Sequence, residues 1–205
     1  MPSMTFLNLK EEKRQRIIDA AINEFANELY VNASINRIIK ACEVPRGSFY
    51  MYFNDKEDLY FYLLENYNRE YINKFTELIK ENHGDVLIAF QKLFIYTTDE
   101  VLVNDNGFFK NFLLNMNYLM ENKITCIDKK DMRVEALKYI NSELFNIKEE
   151  KDIYYVFNIL MIIFIHKLIE TIRFPEHKEK ISNSYIRELE LLGAGFYKEV
   201  NYESI

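Results

Sequence analysis

Glycine and proline are scarce in this chain, 5 and 3 among 205 residues. So few turn formers cannot punctuate a sandwich of many short strands, and a hydrophobic content of 49% is ample for a buried core, so long helices are favoured. Cysteine is nearly absent: Cys42 falls on an apolar helix face and Cys126 lies far from it, which suits two buried or half-buried thiols in a reducing cytoplasm. Long apolar runs are missing too. The longest, Ile153 to Ile165, is broken by Asn158 and falls short of the ~20 residues a membrane span needs. The opening residues, Met-Pro-Ser-Met-Thr-Phe, carry no signal-peptide pattern. The expectation is an all-α cytoplasmic protein with no membrane partner.

Catalytic signatures are equally thin. A di-iron carboxylate bundle wants Glu-x-x-His pairs on facing helices, and there are none. No Gly-x-x-x-x-Gly-Lys loop is present, and Gly193-Ala194-Gly195 lacks the third glycine of a dinucleotide loop. An all-α enzyme therefore stands as a distant alternative, and no cofactor or metal is implied. The net charge of −6 argues against a chain that coats nucleic acid indiscriminately. The charge is uneven, however. Residues 1–53 carry seven cations (Lys10, Lys13, Arg14, Arg16, Arg37, Lys40 and Arg46) against six acids, or +1, while the rest carries 19 against 26, or −7. An acidic body with a locally basic face suits a protein that presents one surface to DNA.

What the chain does have is helical periodicity, enough for about nine helices. Asn8 and Glu11 read as a capping box for a first helix near 9–29, carrying Ile18, Ala21, Ile22, Phe25 and Leu29 at helical spacing. Ser34 can cap a second, in which Ile35, Ile38, Ile39 and Cys42 form a stripe. Glu43-Val44-Pro45 interrupts it, because the residue before proline is pushed out of the α region while proline suits the start of a new helix. Asp55 caps a fourth helix reaching about residue 81, long enough to act as a lever. His83-Gly84-Asp85 breaks the pattern, and Asn104-Asp105-Asn106-Gly107 is the clearest loop. The remaining helices are expected near 85–103, 108–120, 130–145, 149–173 and 182–199.

The chain is organised around Pro45-Arg46-Gly47-Ser48-Phe49-Tyr50-Met51-Tyr52-Phe53. Two short helices joined by a tight turn make a helix-turn-helix, whose second helix enters the DNA major groove. Arg46 fits a bidentate guanine contact or a phosphate clamp, and Gly47 lets the backbone approach closely. Ser48, Tyr50 and Tyr52 bring hydroxyl donors for phosphate oxygens, and Lys56 opens the next helix beside the same backbone. Phe49 and Phe53 belong to the buried side.

Ser34 to Leu59 resembles the DNA-binding segment of the TetR (tetracycline repressor) family. Its pattern runs valine, serine or proline, lysine or arginine, glycine, serine or threonine, aliphatic or phenylalanine, tyrosine, aromatic or histidine, tyrosine, phenylalanine, then a lysine-glutamate pair two residues on. Val44 to Phe53 with Lys56-Glu57 follow it, and the resemblance reaches back to about Lys10. There are two departures. Glu43 stands where glycine is usual, so the turn must hold a non-glycine residue near the left-handed region, and Met51 stands where an aromatic or histidine is frequent. The resemblance implies DNA contacts from Ser34, Arg37, Pro45, Arg46, Gly47, Ser48, Tyr50, Met51, Tyr52 and Lys56, a head over 1–54 and an effector-binding and dimerising body over 55–205. It also implies a homodimer on a palindromic double-stranded operator, paired through its last two helices: Ile165, Ile169, Tyr185, Leu189, Leu192 and Phe196 are the candidates.

The body is rich in aromatics and methionine. Such stripes are usually core, but proteins resembling this one enclose a ligand among these helices, and Tyr67, Phe94, Phe109, Phe112, Met116, Phe157, Met161 and His166 are the candidate walls for a bulky apolar or aromatic effector. A filled core would share the same pattern. The body would then be a partner-protein or oligomerisation module without an effector.

Overall fold

The computed structural model describes residues 2–115, 136–149 and 151–196. Among them no strand occurs, as the shortage of turn formers requires. The helices are α1 (Met4–Leu7), α2 (Glu11–Asn27), α3 (Ile35–Ala41), α4 (Arg46–Tyr52), α5 (Lys56–Glu81), α6 (Val86–Tyr96), α7 (Phe108–Leu114), α8 (Asp152–Arg173) and α9 (Lys178–Phe196). A π-helical turn, Thr97–Val101, prolongs α6.

The described residues fall into two compact units, 2–70 with 104–115, and 71–103 with 136–149 and 151–196. The division between these units lies inside α5. The physical reason is that the first turns of α5 belong to the head's core: Leu59 and Leu63 are buried, and the Tyr60 ring packs on Phe25, Tyr30 and Phe108.

In the first unit Ile17, Phe25, Ile38, Phe49, Phe53 and Leu59 close one core. The Asn104–Gly107 loop returns the chain to it. Asp105 and Asn106 accept from the first amide groups of α7, and Asn111 Nδ2 then donates to the carbonyls of Phe25 and Glu28 at 2.7 and 2.9 Å, satisfying the end of α2.

In the second unit α8 packs against α6 and α9 around interlocked rings. Phe75, Phe90, Phe94, Phe157, Phe164 and Tyr185 meet at centroid distances such as 4.9 Å for Phe75–Phe90 and 4.6 Å for Phe94–Tyr185. Lys167 pins α8 to α9, with its ammonium 2.8 Å from Glu188, 3.4 Å from Glu170 and donating to Ser184 Oγ at 3.0 Å. By length and composition α8 could cross a membrane, with mean hydropathy 1.7. Its buried face is instead occupied by α6, α9 and an ion-paired lysine. Gly84 (φ 84°) sits where a Cβ would lie 2.5 Å from Asn141 N, so only glycine lets the α5–α6 turn meet the 139–141 segment.

Four expectations need correction. Asn8 does not open α2 but closes the separate short helix that Ser3 starts, and α2 begins at Glu11 with Lys10 at its cap position making no side-chain cap bond. The helix expected over 130–145 is not continuous, since 142–144 form only a 3₁₀ turn; residues 130–135 lie outside the described residues. The last helix starts at Lys178 rather than 182, its first turn being prepared by Pro175–His177. Tyr185 and Leu189 have no exposed surface within one chain, so they are core and cannot face a partner. Met116, Cys126 and the Phe196 side chain lie outside what is described.

Candidate nucleic-acid interface

The two faces of α4 divide as its sequence requires. Phe49 and Tyr52 turn inward with Phe53, whereas Arg46, Gly47, Tyr50 and Met51 face outward, Tyr50 at 44% and Met51 at 60% exposure. An added Cβ on Gly47 would meet nothing, so the helix surface there is bare backbone. Arg46 is aimed by two neighbours: Nη1 donates to Asn36 Oδ1 at 2.9 Å, and the guanidinium lies 5.7 Å from the Tyr50 ring. Ala33, Ser34, Ile35, Asn36, Arg46, Tyr50 and Lys56 line an open hollow of about 300 Å³ beside it. Two cations, Arg46 and Lys56, and the hydroxyls of Ser34 and Tyr50 around a shallow hollow suit a phosphate oxygen.

The turn before α4 behaves as Glu43 requires, with φ at 54°. An L residue is strained there by roughly 1–2 kcal/mol.

Several expected contacts are otherwise employed. Ser34 occupies the cap position of α3, but its hydroxyl makes no cap bond. Its N–H donates instead to Glu24 Oε1 at 2.7 Å. Arg37 grips the same carboxylate, with Nε 2.9 and 3.0 Å from its oxygens, and donates to Asn32 O at 3.0 Å. Lys56 directs its ammonium at the carbonyls of Tyr30, Val31 and Ala33, at 2.6, 3.3 and 2.9 Å, which uses all three of its donors. Tyr52 is buried beneath Phe6 with Lys13 over its ring. Arg37, Lys56 and Tyr52 therefore help to build the head, with the Arg37 side chain still 52% exposed. Asn36 was missed by sequence reasoning, because nothing in the α3 stripe reveals that its outer face will lie beside Arg46.

The candidate effector residues separate by unit. In the first, the Tyr67 and Phe109 rings lie parallel (4°) at 6.0 Å, and Phe112 follows at 6.3 Å. In the second, Phe94 and Phe157 are buried in the ring cluster, Met161 is half-buried, and His166 is exposed on the outer face of α8. Glu170, one turn from His166, is engaged by Lys167.

Two family models cover this chain. One, bacterial regulatory proteins of the tetR family, matches residues 17–63, and the other, the tetracyclin repressor-like C-terminal domain, matches residues 85–196. The chain belongs to the TetR family. It is a helix-turn-helix transcriptional regulator, in a family of regulators rather than enzymes. It is similar to the uncharacterised HTH-type transcriptional regulator YdgC of Bacillus subtilis (strain 168), at 28% identity over 142 residues, 65% of this chain and 71% of the relative. It also matches the fatty acid metabolism regulator protein of B. subtilis, at 35% over 72 residues, 35% of this chain but only 37% of that relative. Among solved structures, a TetR family regulator from Chloroflexus aurantiacus superposes over 97% of this chain and 100% of its own, with TM-score 0.52 and 21% identity. Reduced NemR of E. coli covers 87% and 96%, with TM-score 0.52 and 12% identity. At such identities the likeness is one of fold, and the TetR fold accounts for the helical head and body together.

Proposed function

We propose that this TetR-family regulator is a homodimeric repressor that grips a palindromic operator in double-stranded DNA and releases it when a small apolar or aromatic molecule binds its body. The carrying observation is the outward face of α4, where Arg46 is held by Asn36 and Tyr50 beside bare backbone at Gly47. Arg46 supplies the base or phosphate contact. Ser48, Tyr50 and Ser34 serve phosphate oxygens, while Pro45 and Met51 flank the approach. A palindrome asks for two such heads related by a twofold axis.

The outer faces of α8 and α9 support pairing. Tyr155, Ile159, Ile162 and Leu191 are exposed, Ile162 at 69% and Leu191 at 58%, beside half-buried Ile165, Ile169 and Leu192. Apolar surface along the outer face of α8, with Leu191 of α9 beside it, is what a four-helix bundle of two chains would cover. Tyr67 and Phe112, half-exposed on either side of Phe109, offer flat surface to an aromatic effector. Binding would shift the population towards a head spacing that no longer fits successive grooves, with α5 as the link. A regulator whose partner is duplex DNA acts where the chromosome lies, in the cytoplasm.

The tight ring cluster around Phe90 favours a second reading, in which the body is an oligomerisation or partner module with no effector. Enrichment of a randomised duplex pool on the protein tests the operator reading, and failure to retain any duplex overturns it. Mass spectrometry of small molecules released on denaturing the purified protein separates the two readings of the body. A stoichiometric apolar compound supports the effector, and its absence together with no melting shift across a library of apolar compounds supports the module.

A further inference from the structure

The recognition helix α4 has only seven residues, too few to persist on its own, so its outer ends must be satisfied by other parts of the chain. At its C-terminal end two carbonyls without helical partners are met by a single residue far away in sequence. Ser3 Oγ donates to Met51 O at 2.6 Å, and Ser3 N–H donates to Tyr52 O at 2.9 Å. The same Oγ accepts from Phe6 N–H at 3.3 Å, starting α1. One hydroxyl thus closes the end of one helix and opens another. Phe6 completes the fastening: it is fully buried, 4.6 Å from the Phe53 ring, 5.4 Å from Tyr62 and 6.0 Å from Tyr52. From the other side Arg14 Nη1 donates to Leu7 O at 2.9 Å, so α1 is itself anchored to α2.

We propose that Ser3 and Phe6 are positioning residues for DNA reading: they fix the tilt and end of α4, so that Arg46 meets base edges in register while Tyr50 stays on the phosphates and Met51 beside the approach. This role presupposes the operator-binding function proposed above. Sequence readout depends on the angle at which α4 enters the groove, whereas contacts to phosphates tolerate a loosened helix, so the two kinds of binding separate under mutation.

The test compares the duplex enriched by the wild-type protein with a scrambled duplex of equal length and salt, using wild type, Ser3→Ala, Ser3→Thr and Phe6→Leu. Ser3→Ala is expected to weaken the enriched duplex about fivefold, the worth of one ordinary hydrogen bond, while binding of the scrambled duplex is unchanged. Ser3→Thr, which keeps the hydroxyl, restores the ratio, and Phe6→Leu lowers it while the head stays folded by circular dichroism. An unchanged ratio in both Ser3→Ala and Phe6→Leu, or an equal fall on both duplexes, overturns the positioning role. A wild-type protein that enriches no duplex overturns the operator reading and this inference with it.

Discussion

Arg37 and Glu24 form the clasp that sets the position of α3. The carboxylate is 9% exposed, and it takes Arg37 Nη2 at 2.6 Å as well as the Ser34 N–H. A buried carboxylate from the last turns of α2 thereby satisfies the amide of Ser34, at the cap position of α3.

Glu24→Ala should lower stability by about 1–3 kcal/mol, since it strands a helix-end amide, and urea unfolding checks this. The clasp also has a pH signature. Burial pushes the Glu24 carboxyl up, but the Arg37 and Ser34 hydrogen bonds and the charges of Arg37 and Lys56 outweigh it and hold the group below the usual glutamate range. A lowered folded value means the contribution is complete above about pH 4.3 and is lost as pH falls through the folded value. The acid limb of the melting profile should flatten in Glu24→Gln.

Lys56→Met should cost about 1.5–3 kcal/mol, because three carbonyls of the Tyr30–Ala33 turn lose a charged donor. Lys56→Arg should not restore it, since a planar fork cannot meet a tripod of acceptors. Denaturant midpoints separate the outcomes, and the salt slope of DNA binding per folded molecule should stay as in the wild type.

Arg46→Glu should abolish retardation of the enriched duplex while melting changes by less than about 0.5 kcal/mol, as expected for an exposed side chain. Asn36→Ala should weaken binding partially, because it frees Arg46 without removing it.

Glu43→Gly should stabilise the protein by about 1 kcal/mol, because glycine holds φ near 54° without the clash an L side chain suffers. Urea midpoints decide. Loss of stability would show that the Glu43 side chain contributes more than the strain.

Ile162→Glu, on the outer face of α8, should yield a monomer by sedimentation with helix content preserved. Leu189→Ala, inside the chain, should cost about 2–5 kcal/mol of stability instead.

Helices, breaks and the recognition segment were legible in the sequence because they are local: spacing of apolar residues, a proline after a short stripe, and the glycine-bearing breaks 83–85 and 104–107 act within a few residues of themselves. The outward and inward faces of α4 followed from the same local rule, with Phe49 and Phe53 inside as expected. The partners of the polar side chains did not follow. Arg37, Lys56 and Tyr52 each belong to the motif and were read as DNA contacts, yet each is satisfied by a residue 13 to 46 positions away. Tyr185 and Leu189 read as a stripe for a partner and are instead covered by this chain's own helices.

Sequence alone determined that this is a helical regulator and where its helix-turn-helix lies, since helix periodicity and turn chemistry are properties of neighbouring residues. Only the tertiary structure decided which cations are free, what closes the end of the recognition helix, and which apolar stripe is left uncovered. Hydrogen bonds such as Ser3 to Met51 and Lys56 to Tyr30 join residues that no local pattern connects, and they exist because packing brings those groups within reach.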